Sequence, residues 1–224
     1  MSLILNMILH LSQCLSEVDL EAIKATLKDI SFHDGLSTAG RAALQVKHNQ
    51  QADMAEIAGI LKLIEQRLLA NDLFVQSTYP QQFVRLLISR YQSGMRYGTH
   101  VDEALINNQR TDISFTLFLS DQSQYQDGEL VLEDSSGERS WKLDAGDLLL
   151  YPSTYLHRVN EVSDGERLVI VGWLTSRVRE PNQREILFDM EQSVRQEFNL
   201  NGKTEQYDRL SRVRNNLLRR WLDR

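Results

Sequence analysis

The sequence has few of the residues that build special frameworks. A single cysteine, Cys14, among 224 residues excludes an internal disulfide and a cysteine-based metal cluster, and it fits a reducing compartment. No internal repeat or low-complexity segment is visible. Positive charge is not in excess: the formal net charge of −6 gives no global reason to bind nucleic acid or an anionic membrane. Long hydrophobic runs are missing too. The apolar opening, MSLILNMILHLSQCL, carries Asn6 and His10, has no basic leader or small-residue cleavage pattern, and is too short to cross a bilayer. It reads as a buried strand, and the expected location is cytoplasmic. What remains, 42% hydrophobic and 25% charged, is ordinary for a soluble globular chain.

Three zones follow one another, with expected bounds 1–72, 73–178 and 179–224. The first reads as mainly helical. In SEVDLEAIKATLKDI, Ser16 is a candidate N-cap, acids occupy the first turn, and Leu20, Ile23, Leu27 and Ile30 recur at helical spacing. QQADMAEIAGILKLIEQRLLAND puts Met54, Ile57, Leu61, Ile64 and Leu68 on one helical face. The second zone changes period. QFVRLLISRY, TDISFTLFLS, GELVLED, RSWKLD, DLLLYP, LHRVNEV and ERLVIVGWLT are short strand-like runs, separated by turns such as Asp127-Gly128, Ser136-Gly137, Ala145-Gly146 and Asp164-Gly165. That pattern predicts a sandwich, barrel or jelly roll with helices packed on one face. The third zone, from Pro181, has two amphipathic stripes: Ile186, Leu187, Met190, Val194 and Phe198, then Leu210, Val213, Leu217 and Trp221. Asn201-Gly202 lies between them. A helical hairpin of this kind must dock on the sheet or on another subunit. Its Arg209, Arg212, Arg214, Arg219 and Arg220 read as a solvated or subunit-contacting face.

Candidate chemistry begins in RYGTHVDEA. His100 and Asp102 stand two positions apart after a strand and a glycine-bearing turn, so in extended chain they project to one side. Gly98 is expected to let the chain turn at the sheet's mouth, and Val101 to point away as a packing residue. Two ligands hold a metal poorly. Of the other histidines, His10, His33 and His48 fall in the helical zone and read as structural or surface groups, whereas His157 belongs to the sheet zone. Two histidines and one carboxylate match the facial triad of non-heme Fe(II) oxygenases, which leaves positions open for a bidentate co-substrate and dioxygen. Zinc more often takes a tetrahedral set. A 2-oxo acid held in this way needs a cation for its far carboxylate. Arg167 is expected to come back alongside His157 across the Asp164-Gly165 turn and supply it. Tyr91, at the end of the preceding strand, can add a hydrogen bond. Asp112 and Asp147 read as turn residues.

The stretches RYQSGMRYGTHVDEA, RTDISFTLFLSD, DGELVLED, KLDAGDLLLYPSTYLHRV and GERLVIVGWLTS resemble the bacterial PKHD-type hydroxylases, prolyl-4-hydroxylase-like members of the Fe(II)- and 2-oxoglutarate-dependent dioxygenases. The resemblance extends to DGLSTAG, VKHNQQ and RVREPNQREILFDME, and so over nearly the whole chain. It implies a double-stranded β-helix (jelly-roll) core in an α+β, mainly β fold. It also implies iron on His100, Asp102 and His157, 2-oxoglutarate on Arg167, L-ascorbate as iron reductant, and dimerisation through the C-terminal helices. The implied reaction converts 2-oxoglutarate and O2 to succinate and CO2 while hydroxylating a C–H bond. Kinship suggests a peptidyl residue such as proline as substrate, with a small metabolite linked to iron uptake as the alternative. The chain departs from the pattern at Asp127-Gly128, within NEVSDGER and at His48, and none of these departures alters the triad or the arginine. Two other classes stay open at this level: a metal-binding jelly roll with different chemistry, against which Arg167 argues, and an interaction protein working through the hairpin.

Overall fold

The computed structural model describes residues 8–38, 45–134 and 136–223. In chain order the elements are β1 (Leu9–Leu11), α1 (Glu17–Leu27), β2 (Phe32–Asp34), β3 (Lys47–His48), β4 (Gln50–Ala52), α2 (Ala58–Ala70), α3 (Asp72–Thr78) and β5 (Pro80–Gln92). Then come β6 (Arg96–His100), β7 (Leu105–Ile106), β8 (Gln109–Arg110), β9 (Ile113–Phe118), β10 (Tyr125–Asp127), β11 (Leu130–Asp134) and β12 (Gly137–Trp141). Last are β13 (Leu148–Pro152), β14 (Leu156–Val159), β15 (Val162–Ser176), α4 (Pro181–Asn201) and α5 (Glu205–Trp221). The part of the expected first strand before Ile8, and Ala39 and Gly40 of DGLSTAG, lie outside the described residues.

Among the described residues two sheets form the core. The larger runs β1-β13-β9-β15-β5-β4-β2, with β10 also paired to β15, and the smaller runs β12-β11-β14-β6-β3. Sequence neighbours repeatedly fall in different sheets, as a jelly roll requires. Strand alternation then divides the apolar residues into two cores. Leu86, Ile88, Phe115, Leu117, Leu168, Ile170 and Leu174 pack outward against Ile23, Leu27, Ile60, Ile64, Leu68 and Phe74 of the helices. Tyr91, Phe118, Leu149, Tyr151 and Val169 face inward and meet Leu130, Leu132 and Val159 of the smaller sheet. The result is helices, large sheet and small sheet in three layers.

Ser16 caps α1 as its sequence predicts. Its hydroxyl accepts from the Asp19 backbone at 3.2 Å, and the Asp19 carboxylate accepts in return from the Ser16 backbone at 3.3 Å. Arg67 on α2 donates twice to the same carboxylate, at 3.0 and 2.8 Å, tying α1 to α2. The second helix starts later than its hydrophobic pattern suggests. Gln50–Ala52 is strand rather than helix, Met54 is exposed, and the buried stripe is Ile57, Ile60, Ile64 and Leu68. Ladder pairing decides this: Gln50 and Gln51 pair with Arg90 and Ser89 of β5, and the Arg90 guanidinium donates twice to Gln50 Oε1 at 2.9 and 2.7 Å. The first zone therefore also contributes β2, β3 and β4 to the sheets, with polar sequences that carry no alternation of their own.

The C-terminal pair forms the expected hairpin, and Arg214 of α5 bonds Glu191 of α4 at 2.8 Å. Among the described residues α5 buries none of its side chains, and Ile186, Phe198, Leu200 and Val213 stay exposed.

Arg67 first, then Ser16, hold the Asp19 carboxyl below its ordinary range. A depressed carboxyl contributes stability above its unfolded value and loses it as pH falls through the folded one. Asp19→Asn should lower Tm at pH 7 by a few degrees and flatten the loss of Tm between about pH 5 and pH 3. Thermal melts across that range would contradict this if the two proteins lost stability in parallel.

Candidate active site

Alternation along three adjacent strands of the large sheet lays out the floor of a cavity. Residues opposite one another form rows: Arg167 with Tyr91; Phe118, Val169 and Ser89; Thr116, Val171 and Leu87; Ser114, Trp173 and Arg85. The smaller sheet covers these rows with Tyr97, His100, Leu130, His157 and Val159, leaving a cavity that opens to solvent. A concave, mainly apolar site with a few convergent polar groups has the form of a small-molecule pocket.

His100 ends β6 and His157 lies on β14, and the two are direct cross-strand partners. Their ring centroids are 4.2 Å apart, and Tyr97 stacks on His100 at 3.7 Å. Each ring is fixed by its own backbone: His100 Nδ1 donates to the Gly98 carbonyl at 2.9 Å and His157 Nδ1 to the Tyr155 carbonyl at 3.1 Å. A carbonyl can only accept, so Nδ1 carries the hydrogen and Nε2 keeps its lone pair. Burial, reinforced by the His157 ring, holds the His100 imidazole below its ordinary pKa, which favours that neutral form.

Asp102 completes the cluster. Its Oδ1 lies 3.7 Å from His157 Nε2, and its Oδ2 accepts from the Ser114 hydroxyl at 2.6 Å. Ser114 bonds Ser153 in turn at 2.7 Å. One ligand atom from each of His100, Asp102 and His157 can be chosen so that all three lie within 4.8 Å of one another. Two imidazole nitrogens and one carboxylate oxygen make a donor set suited to iron(II).

Arg167 sits at the closed end and is 1% exposed. Its Nε and both terminal nitrogens have no hydrogen-bond partner. The rings of Tyr91 and Phe118 flank it, their centroids 5.2 and 5.4 Å from Cζ. Cation–π contacts contribute about 1–2 kcal/mol, less than the several kcal/mol, in order of magnitude, that an unpaired buried charge costs. A guanidinium kept in this state fits an anion delivered by a ligand. Tyr125 Oη, also buried and without a partner, lies beside it. Burial pushes the Tyr91 hydroxyl up from its ordinary pKa, opposed by Arg167 and Asn49 nearby.

The structure thus brings His100, Asp102, His157, Arg167 and Tyr91 to one cavity, and leaves His10, His33 and His48 outside it. Three local expectations change. Arg167 reaches the site from the opposite sheet: β14 and β15 part at Asn160–Glu161, while Asp164 and Gly165 lie within β15. Gly98 is no turn but a close approach inside β6, where an added Cβ would stand 2.8 Å from Val46 Cβ. Val101 is 53% exposed and packs in no core. Sequence reasoning passed over Ser114, Tyr125, Arg85 and Trp173. The available signal was polar Ser114 and Thr116 alternating with apolar residues inside a buried strand.

Similarity to known proteins agrees with this geometry. The family model of the 2OG-Fe(II) oxygenase superfamily matches residues 86–175. A PKHD-type hydroxylase of Idiomarina loihiensis is 50% identical over 217 residues, covering 97% of this chain and 100% of that protein. The chain belongs to the PKHD-type hydroxylase family. It is an iron(II)- and 2-oxoglutarate-dependent hydroxylase. A PKHD-type hydroxylase of Parvibaculum lavamentivorans is 49% identical over 192 residues, with coverage of 85% and 87%. A solved oxidoreductase of the 2OG-Fe(II) oxygenase family from Burkholderia pseudomallei superposes with a TM-score of 0.58 at 15% identity, covering 75% of this chain and 84% of that one. A Pseudomonas putida prolyl-4-hydroxylase gives 0.54 at 20% identity, with 76% and 92% covered. These likenesses show the jelly-roll fold.

Because Gly98 supplies the carbonyl that orients His100, crowding it should disturb the hydroxylase twice. Gly98→Ala is expected to lower Tm by a few degrees and weaken metal affinity about tenfold. Calorimetric titration with a divalent metal, alongside a melt, would show whether affinity survives unchanged.

Proposed function

We propose that His100, Asp102 and His157 hold the iron(II) of this hydroxylase and that Arg167 and Tyr91 hold its 2-oxoglutarate. The carrying observation is the Arg167 guanidinium, buried with all three nitrogens unpartnered in the cavity that contains the two-histidine, one-carboxylate cluster. Once bound, the metal centre supplies activation of dioxygen, coupled to conversion of 2-oxoglutarate to succinate and CO2 as a substrate C–H becomes C–OH. The chain's own residues position and shield. The Gly98 and Tyr155 carbonyls keep both Nε2 atoms free to ligate, and Ser114 fixes which carboxylate oxygen of Asp102 faces His157. Arg167 neutralises the far carboxylate of the co-substrate, with Tyr91 and Tyr125 as hydroxyl neighbours. Leu87, Leu130 and Val171 line the space between and keep water from it.

The substrate is a peptidyl residue such as proline, in line with the prolyl-4-hydroxylase kinship; a small metabolite linked to iron uptake is the alternative. L-ascorbate serves as reductant of the iron, and the enzyme works in the cytoplasm. It forms a homodimer through the C-terminal helices, a reading supported by Phe198, Leu200 and Val213, which are exposed on the hairpin. Size exclusion with light scattering should find two chains, and Leu200→Glu with Val213→Glu should give monomers. A wild-type monomer would end the dimer assignment.

Anaerobic addition of iron(II) and 2-oxoglutarate should give a visible chelate band, and admission of O2 should give succinate. Arg167→Gln is expected to keep metal binding while weakening 2-oxoglutarate by about 100-fold or more, and His157→Ala to lose the metal. Normal 2-oxoglutarate affinity in Arg167→Gln would remove the co-substrate assignment.

A further inference from the structure

At the open end of the cavity, six residues along β15 from Arg167, Trp173 points to the same face, and its cross-strand neighbour on β5 is Arg85. Trp173 Nε1 is buried and donates to nothing. The half-buried Arg85 forms no hydrogen bond or ion pair among the described residues, and Glu103, exposed at the same mouth, does not reach it. Arg85 and the orphan indole N–H thus belong to cross-strand partners that line the same cavity. Lys47 raises the positive potential from the other wall, although the Asp34 charge partly offsets it. Its Nζ lies 5.3 Å from the ring of Tyr97, which stacks on His100, so positive charge extends from Arg85 toward the metal ligands.

We propose that Arg85 and the Trp173 indole N–H form a second oxyanion subsite, which takes a carboxylate or phosphate carried by the substrate. This rests on the assignment of Arg167 to 2-oxoglutarate. Along the strand the backbones of the two places are roughly 20 Å apart, with the Val169 and Val171 rows between them, so they are separate places on the wall. Across the sheet the subsite is close to the chemistry. Trp173 pairs on its other side with Ser114, whose hydroxyl holds Asp102. Two strand spacings separate Ser114 from Arg85, which places the bound anion on the order of 10 Å from the metal ligand. The substrate is therefore an acidic molecule whose oxidised carbon and anionic group are separated by about that length, such as a peptide with an acidic side chain or free C-terminus, or an acidic metabolite.

The test uses full-length protein labelled with 15N at its tryptophan indoles, loaded with zinc(II) and saturated with 2-oxoglutarate. It is titrated with acetate, with methyl phosphate and with neutral acetamide. The Trp173 indole resonance, identified by its loss in Trp173→Phe, should move with one or both oxyanions and stay still with acetamide. The Trp141 and Trp221 resonances serve as internal references. A larger response to acetate points to a carboxylic acid substrate, and a larger one to methyl phosphate points to a phosphorylated substrate. Arg85→Gln should weaken the response about tenfold, with 2-oxoglutarate affinity held within about twofold, and Arg85→Lys should restore part of it. An immobile Trp173 resonance at saturating concentrations of both anions overturns the proposal, as does an undiminished response in Arg85→Gln. Failure of 2-oxoglutarate to bind would instead remove the Arg167 assignment, and it is read in a separate titration.

Discussion

The antiparallel pairing of β5 with β15 is the constraint on which the rest of the molecule depends. It runs from Glu166 opposite Gln92 to Ser176 opposite Pro80, the longest ladder in the fold. One face of this ribbon, with Leu86, Ile88, Leu168 and Ile170, makes the core against the helices. The other face carries Arg167, Tyr91, Trp173 and Arg85. A slip of one residue would turn the arginines into the apolar layer and the leucines into the cavity, so burial of the helix-facing side fixes the register of the chemical side. Gly172 shows how tight this packing is: an added Cβ would lie 2.3 Å from the Phe115 ring.

The smaller sheet does different work on the same terms. Its metal-ligating candidates lie where β6 and β14 meet, and backbone carbonyls rather than distant side chains orient them. Asp102 is instead held by a residue of the large sheet, through Ser114, and the Tyr151 ring of that sheet lies 5.4 Å from the His157 ring. That hydroxyl and the Tyr151 ring link the two sheets at the site. The placement of this cluster relative to Arg167 then depends on sheet-to-sheet packing through Phe118, Tyr151, Leu130 and Val159, and on the short segment after β6 that carries Asp102.

Legibility in the sequence followed the length and periodicity of each signal. Strands β5, β9 and β11 to β15 and the helices α1, α2, α4 and α5 were visible because burial on one face imposes a period that spans several turns or pleats, whereas β6, β7, β8 and β10 were not read as strands. Strands β2, β3 and β4 were not, because Phe32–Asp34, Lys47–His48 and Gln50–Ala52 are short and held by partners distant in sequence. The triad and Arg167 were readable as residue types in an order, supported by family resemblance. Their arrangement was not: nothing local to SDGER says that β15 leaves the sheet of β14 and returns on the opposite wall. Gly98 misled for a related reason, since a glycine that admits Val46 and a glycine that turns the chain look alike until the neighbouring strand is known.

Charge shows the same separation of local from global. With a net charge of −6 the chain as a whole repels anions, yet its reaction consumes the dicarboxylate 2-oxoglutarate. Screening resolves the conflict: beyond about 8 Å at physiological ionic strength, exposed acids are largely hidden from a ligand at the mouth. The cavity lining itself carries Arg85, Lys47 and Arg167. The acids nearest the path are Glu103 at the rim and Asp102, whose charge a bound divalent metal would more than neutralise. A cationic track inside an acidic protein selects anions by position rather than by net attraction, and it keeps the exposed surface acidic.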